Sequence, residues 1–125
     1  MQIFLTRDSV AAGDDADAPH QKTITVPDDA SVEEIITIVA KSNYLASIFG
    51  GKATWSANSK LPLAVVAQEW DKPKMLSYTP VTVKRLVVAD GSLHLHFTYY
   101  TQLDPNIVFE TLKRWGQWAW SKQDS

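Results

Sequence analysis

His94 and His96 are the residues whose type and spacing best suit chemistry in this chain of 125 residues. Two apart on a strand, both project from one face while Leu93, Leu95 and Phe97 project from the other. A pair of imidazoles starts a metal site, but zinc requires three or four ligands. A tight turn at Asp90-Gly91 would also set Arg85 opposite His96, and a permanent cation there opposes a metal ion. His94 and His96 are thus candidate ligands expected to face solvent, where a pH-sensitive contact is the chemistry left to them. Glu69 ends the most apolar run of the chain and is read as a strand meeting water. The Gly50-Gly51-Lys52-Ala53-Thr54 run has Ala46 and Ala53 where a phosphate loop needs Gly and Ser or Thr. It also follows a helical stretch where a phosphate loop would precede one, so it reads as a helix stop.

Other catalytic markers are missing from the sequence. There is no Gly-x-Ser-x-Gly elbow, no His-Glu-x-x-His pair, and no calcium-loop spacing within Asp14-Asp15-Ala16-Asp17. The chain has no cysteine, which excludes disulfides, thiol catalysis, cysteinyl zinc and iron–sulfur clusters. The expectation is a protein that is not an enzyme and carries no cofactor.

Charge and tryptophan are more informative. Residues 1–34 carry eight acids against Arg7 and Lys22, whereas the remainder carries six acids against ten bases. An acidic end steers a basic partner and repels nucleic acid. The bases occur as scattered pairs (Lys72 with Lys74, Lys84 with Arg85, Lys113 with Arg114), which argues against direct nucleic-acid binding. Five tryptophans are several times common usage, and three of them, Trp115, Trp118 and Trp120, fall on one predicted helix. There Val108, Leu112, Trp115 and Ala119 share the face expected to dock on a sheet. Trp118 and Trp120 fall to either side of it, about 200° apart, so one narrow face cannot bury both. Asp14, Asp15 and Asp17 are therefore the candidate steering residues and Trp118 and Trp120 the candidate partner anchors.

The elements that must position these residues follow from periodicity and punctuation. Strands are expected over 2–6, 22–26, 53–57, 61–69, 83–89 and 92–100. The apolar run Leu63-Ala64-Val65-Val66-Ala67 marks a strand covered on both faces. Residues 8–20 form an expected mobile acidic loop. Ser31 and Glu34 make a capping box ahead of Val32, Ile35, Ile36 and Val39, with Gly50-Gly51 as the expected stop. Asp104 followed by Pro105 starts a second helix to about Trp120. The order β-β-α-β-β-β-β-α predicts a single α+β domain over residues 1–125, in two layers with a mostly antiparallel sheet and two helices.

Met1-Gln2-Ile3-Phe4-Leu5, Lys22-Thr23-Ile24-Thr25-Val26 and Asp29-Ala30-Ser31-Val32-Glu33-Glu34-Ile35 resemble the two strands and helix start that open ubiquitin. The resemblance covers about the first 40 residues and implies a β-grasp-like arrangement, in which a sheet wraps one helix. The long first loop departs from it, and so does the final Lys122-Gln123-Asp124-Ser125, which is not the diglycine of a conjugated modifier. Fold, not conjugation chemistry, is what the resemblance implies.

The leading expectation is a non-enzymatic, cytoplasmic protein-binding domain that masks a basic partner. In size, charge and lack of catalytic motifs it resembles a bacterial immunity protein or an inhibitor of a nuclease-type toxin. One alternative is a small-ligand or metal-binding domain or enzyme with a pocket between sheet and helix, using His94, His96 and Glu69. Another is a ubiquitin-like adaptor docking through its sheet. No apolar run is long enough to cross a bilayer, so no membrane partner is expected. Two unpaired sheet edges leave a homodimer open.

Overall fold

The computed structural model describes residues 1–10, 18–45, 51–76, 82–88 and 90–124, with side chains described as far as Trp115. Six strands form one mixed sheet: β1 (Gln2–Arg7), β2 (Lys22–Thr25), β3 (Thr54–Ser59), β4 (Leu61–Ala67), β5 (Lys74–Met75) and β6 (Leu93–Tyr99). Three helices accompany it, α1 (Val32–Lys41), α2 (Val83–Leu86) and α3 (Pro105–Asp124), giving an α+β fold. Strand order is β2-β1-β6-β3-β4-β5. β1 runs parallel to β6, and the other pairings are antiparallel.

α1 forms where its caps and apolar stripe agree. The Ser31 hydroxyl accepts from the Glu34 N–H at 3.1 Å, and Glu33, Glu34 and Lys41 suit the helix dipole. Val32, Ile35, Ile36 and Val39 are all buried, each contributing about 1.5–3 kcal/mol of apolar burial. The helix ends at Lys41, well before Gly50-Gly51. Ser42 turns extended there, and its hydroxyl donates to the Val39 carbonyl at 2.6 Å while its N–H caps Ile38 and Val39. Residues 46–50 lie outside the described residues.

β4 is buried almost throughout, and neighbouring residues in it pack against different helices on opposite faces. Ala64 and Val66 join Ile3, Leu5, Trp55, Ala57, Leu95 and Phe97 around α1. Val65, pointing the other way, is buried with Leu76 and with Val108 of α3. The uniformly apolar run is thus covered on both sides, and the helices do not share the single layer expected of them. α3 starts as its sequence predicts, with Asp104 Oδ1 accepting from the Asn106 N–H at 2.9 Å.

The expected strand over 83–89 is the main correction. Val83–Leu86 is a single helical turn, and β5 occupies part of what was expected to be a plain connection. Two physical reasons account for α2. Val83, Leu86 and Val87 pack on the core while Lys84 and Arg85 are exposed, a helical spacing that also passes as alternation. Both edges of β6 are also already taken, by β1 and β3, which leaves no place for a hairpin partner. Arg85 accordingly does not face His96; Thr6 and Asn58 do. The Asp90-Gly91 turn survives as a link into β6, with positive φ at Gly91 (82°) but not at Asp90.

Candidate functional site

Among the described residues, α3 closes the outer face of the sheet, opposite α1, over the β4–β5 end and leaves the rest uncovered. Over β1 and β6 it is open, and a groove of about 620 Å³ runs across it. Phe4, Thr6, His94 and His96 line its floor, with Lys22 and Lys60 also in its wall. Alternation puts these residues there: Ile3, Leu5, Leu93, Leu95 and Phe97 point into the α1 core, so the residues between them point out. The Phe4 and His94 rings meet at a tilt, with centroids 5.0 Å apart and planes 39° apart.

His96 is the fixed point of this face. Its Nε2 lies 3.0 Å from Asp8 Oδ1, and its Nδ1 lies 2.7 Å from Thr6 Oγ1. A carboxylate only accepts, so Nε2 donates to Asp8, and in the neutral ring Nδ1 then accepts the Thr6 hydroxyl proton. The second Asp8 oxygen accepts from the Tyr99 N–H at 2.9 Å, which locks the carboxylate. Asn58 donates to the His96 carbonyl at 2.9 Å and to Thr98 Oγ1 at 3.0 Å. Ser56 donates to Asn58 Oδ1 and meets the Tyr100 hydroxyl, both at 3.0 Å. The result is a band of cross-strand side-chain hydrogen bonds.

His94 sits at the other end of the groove. Ser92 gives its hydroxyl proton to Asp90 and lies 3.3 Å from His94 Nε2. Those bonds from the Ser92 hydroxyl, and then from its N–H, hold the Asp90 carboxyl below the usual range. On the α1 side, burial pushes the Tyr44 hydroxyl up to about 12, with Arg7 acting in the opposite sense. That hydroxyl donates to the His20 carbonyl at 2.6 Å.

A second cavity, of about 350 Å³, lies between the end of α1 and β4, lined by Ala40, Lys41, Trp55, Val66, Trp70 and Lys72. It occupies the sheet–helix position expected for a ligand pocket, but none of the residues expected to serve it is there. His94 and His96 are on the opposite face, and Glu69 is exposed beyond the end of β4. Among the described residues no group of three His, Cys, Asp or Glu is placed to hold a metal.

The candidate steering residues Asp14, Asp15 and Asp17 lie outside the described residues, as do the side chains of Trp118 and Trp120. Trp115, expected to dock on the sheet, is 47% exposed. α3 is 20 residues long, about 30 Å, and outruns the Val65–Leu76 patch that it covers. Asp8, Thr6 and Asn58 were not singled out by spacing. The available signal was that Thr6 and Asp8 share a face of the first strand, but their partner is about 90 residues away. No family model, curated protein or solved structure matches the chain significantly.

Proposed function

We propose that this chain is a cytoplasmic, β-grasp-like protein-binding domain that masks a basic protein partner without catalysis, as an immunity protein or toxin inhibitor does. The arrangement is supported by one core cluster that joins α1 to β1, β3, β4 and β6, with partly buried Ile24 of β2 and Met75 of β5 packed against it, as expected of a sheet wrapped on one helix. The observation that carries the binding reading is Trp115. A half-exposed tryptophan on a helix that outruns its sheet is the residue type enriched at interaction hot spots. Leu103 and Ile107, 56% and 65% exposed, add apolar surface at the start of the same helix, and Trp118 and Trp120 lie further along it. Asp29, Glu33 and Glu34 are exposed around the start of α1 and supply negative charge for a basic partner, while Asp28 pairs with the N-terminal ammonium.

The test is capture by the tagged chain at low and moderate salt, with Trp115→Ala and Glu33→Lys/Glu34→Lys variants alongside. One stoichiometric basic partner is expected, released as salt rises. Trp115→Ala is expected to weaken it about 30-fold, a hot-spot loss of about 2 kcal/mol, and the charge reversal to slow association. Retention unchanged in both variants, or no partner at either salt, overturns the reading.

A further inference from the structure

We infer that the outer-face groove over β1 and β6 is a binding site for a small, doubly charged oxyanion carried on an apolar body, such as an aryl phosphate monoester. This site is separate from the α3 surface and does not depend on the protein-binding reading.

Charge is the first argument. The chain as a whole is net negative, at −2, yet the groove gathers Lys22, Lys60, His94 and His96 and no carboxylate lines it among the described residues. The two acids closest in the bonding network are already engaged, Asp8 by His96 and the Tyr99 N–H, and Asp90 by Ser92. Neither Lys22 nor Lys60 has an ion-pair partner among the described residues. A concave surface with unneutralised cations on a net-negative protein focuses positive potential and draws in anions.

Preorganisation is the second argument. His96 is held at both ring nitrogens, by Asp8 and by Thr6, which fixes the ring in the floor of the groove. The Thr23 hydroxyl and the two lysine ammonium groups, beside the His94 ring, form a donor set with few competing acceptors. Two lysines match two negative charges better than one.

Size and the ring pair give the third argument. About 620 Å³ falls within the range of small-molecule sites, roughly 300–1,000 Å³, which favours a free ligand over an extended chain. The tilted Phe4–His94 pair offers an aromatic floor for the body that carries the charge.

Calorimetric and NMR titration of the full chain with phenyl phosphate, inorganic phosphate and benzoate tests the assignment. Phenyl phosphate is expected to bind saturably, to shift the His94, His96 and Phe4 ring signals, and to bind at least several-fold more tightly than either other probe. Lys22→Glu/Lys60→Glu, at two exposed positions, is expected to weaken phenyl phosphate at least tenfold with the remaining amide spectrum unchanged. Phe4→Ala is expected to remove its advantage over inorganic phosphate. Shifts that never saturate, binding unaffected by the lysine reversal, or benzoate binding as tightly as phenyl phosphate overturn the proposal.

Discussion

Over β4 and β5 the outer face is closed by α3, with Val65, Leu76 and Val108 buried together, whereas over β1 and β6 it is open and its side chains bond to one another. Both halves belong to one sheet and follow the same two-residue alternation. They differ in what the outward residues are. Over β4 and β5 these are apolar and a helix excludes water; over β1 and β6 they are mostly Thr, His and Asn, with Phe4 against His94, and a hydrogen-bonded band satisfies the polar groups without a cover. The difference teaches where recognition can occur. A closed half contributes stability, and an open half with satisfied polar groups stays available to a ligand without exposing a large apolar patch.

The largest expected break in this contrast comes from the closed half. Leu76→Ala should cost about 2–5 kcal/mol, read as a fall in the urea midpoint, because α3 loses part of the surface it rests on. An intermediate effect is expected from the open half. Asp8→Ala removes the acceptor for both His96 and the Tyr99 N–H. Its cost should be near the low end of about 1–3 kcal/mol, since the side chain is 43% exposed. A loss in Asp8→Ala equal to that in Leu76→Ala would mean that the two halves are not held differently.

The smallest effect concerns pH and should appear only away from the closed half, whose buried set of Val65, Leu76 and Val108 has nothing to titrate. Burial raises the Tyr44 hydroxyl to about 12, above the ordinary value of about 10. Its contribution to stability is therefore complete below about 10 and is lost as pH rises through about 12. Absorbance titration near the tyrosinate band should show a late-ionising step that is missing in Tyr44→Phe, and that variant should lose less stability across the same window.

How legible the molecule was in its sequence divides along range. α1 was readable because Ser31, Glu34 and the Val32, Ile35, Ile36, Val39 stripe lie within a few residues of one another, and Asp104-Pro105 marked α3 for the same reason. The alternation of Leu93 to Phe97 correctly put His94 and His96 on the outer face. The failures were contests that local pattern cannot decide. Val83 to Val88 fits both periods, and the outcome was set by β1 and β3 occupying the edges of β6. The Asp8–His96–Thr6 chain joins residues 88 and 90 positions apart, so no window along the sequence contains it.

The placement of β6 also governs the order in which the fold can be assembled. β1 with β2 forms one ladder and β3 with β4 and β5 forms another, and β6 is the strand that joins them. During synthesis the two ladders have no shared hydrogen bonds until residues 93–99 have left the ribosome. Until then β1 and β3 each present an unsatisfied edge, a hazard for association with other nascent chains. High contact order of this kind slows folding. Insertion of one strand is thus the event that makes the sheet continuous, and α3, next in the chain, can close the outer face only after it.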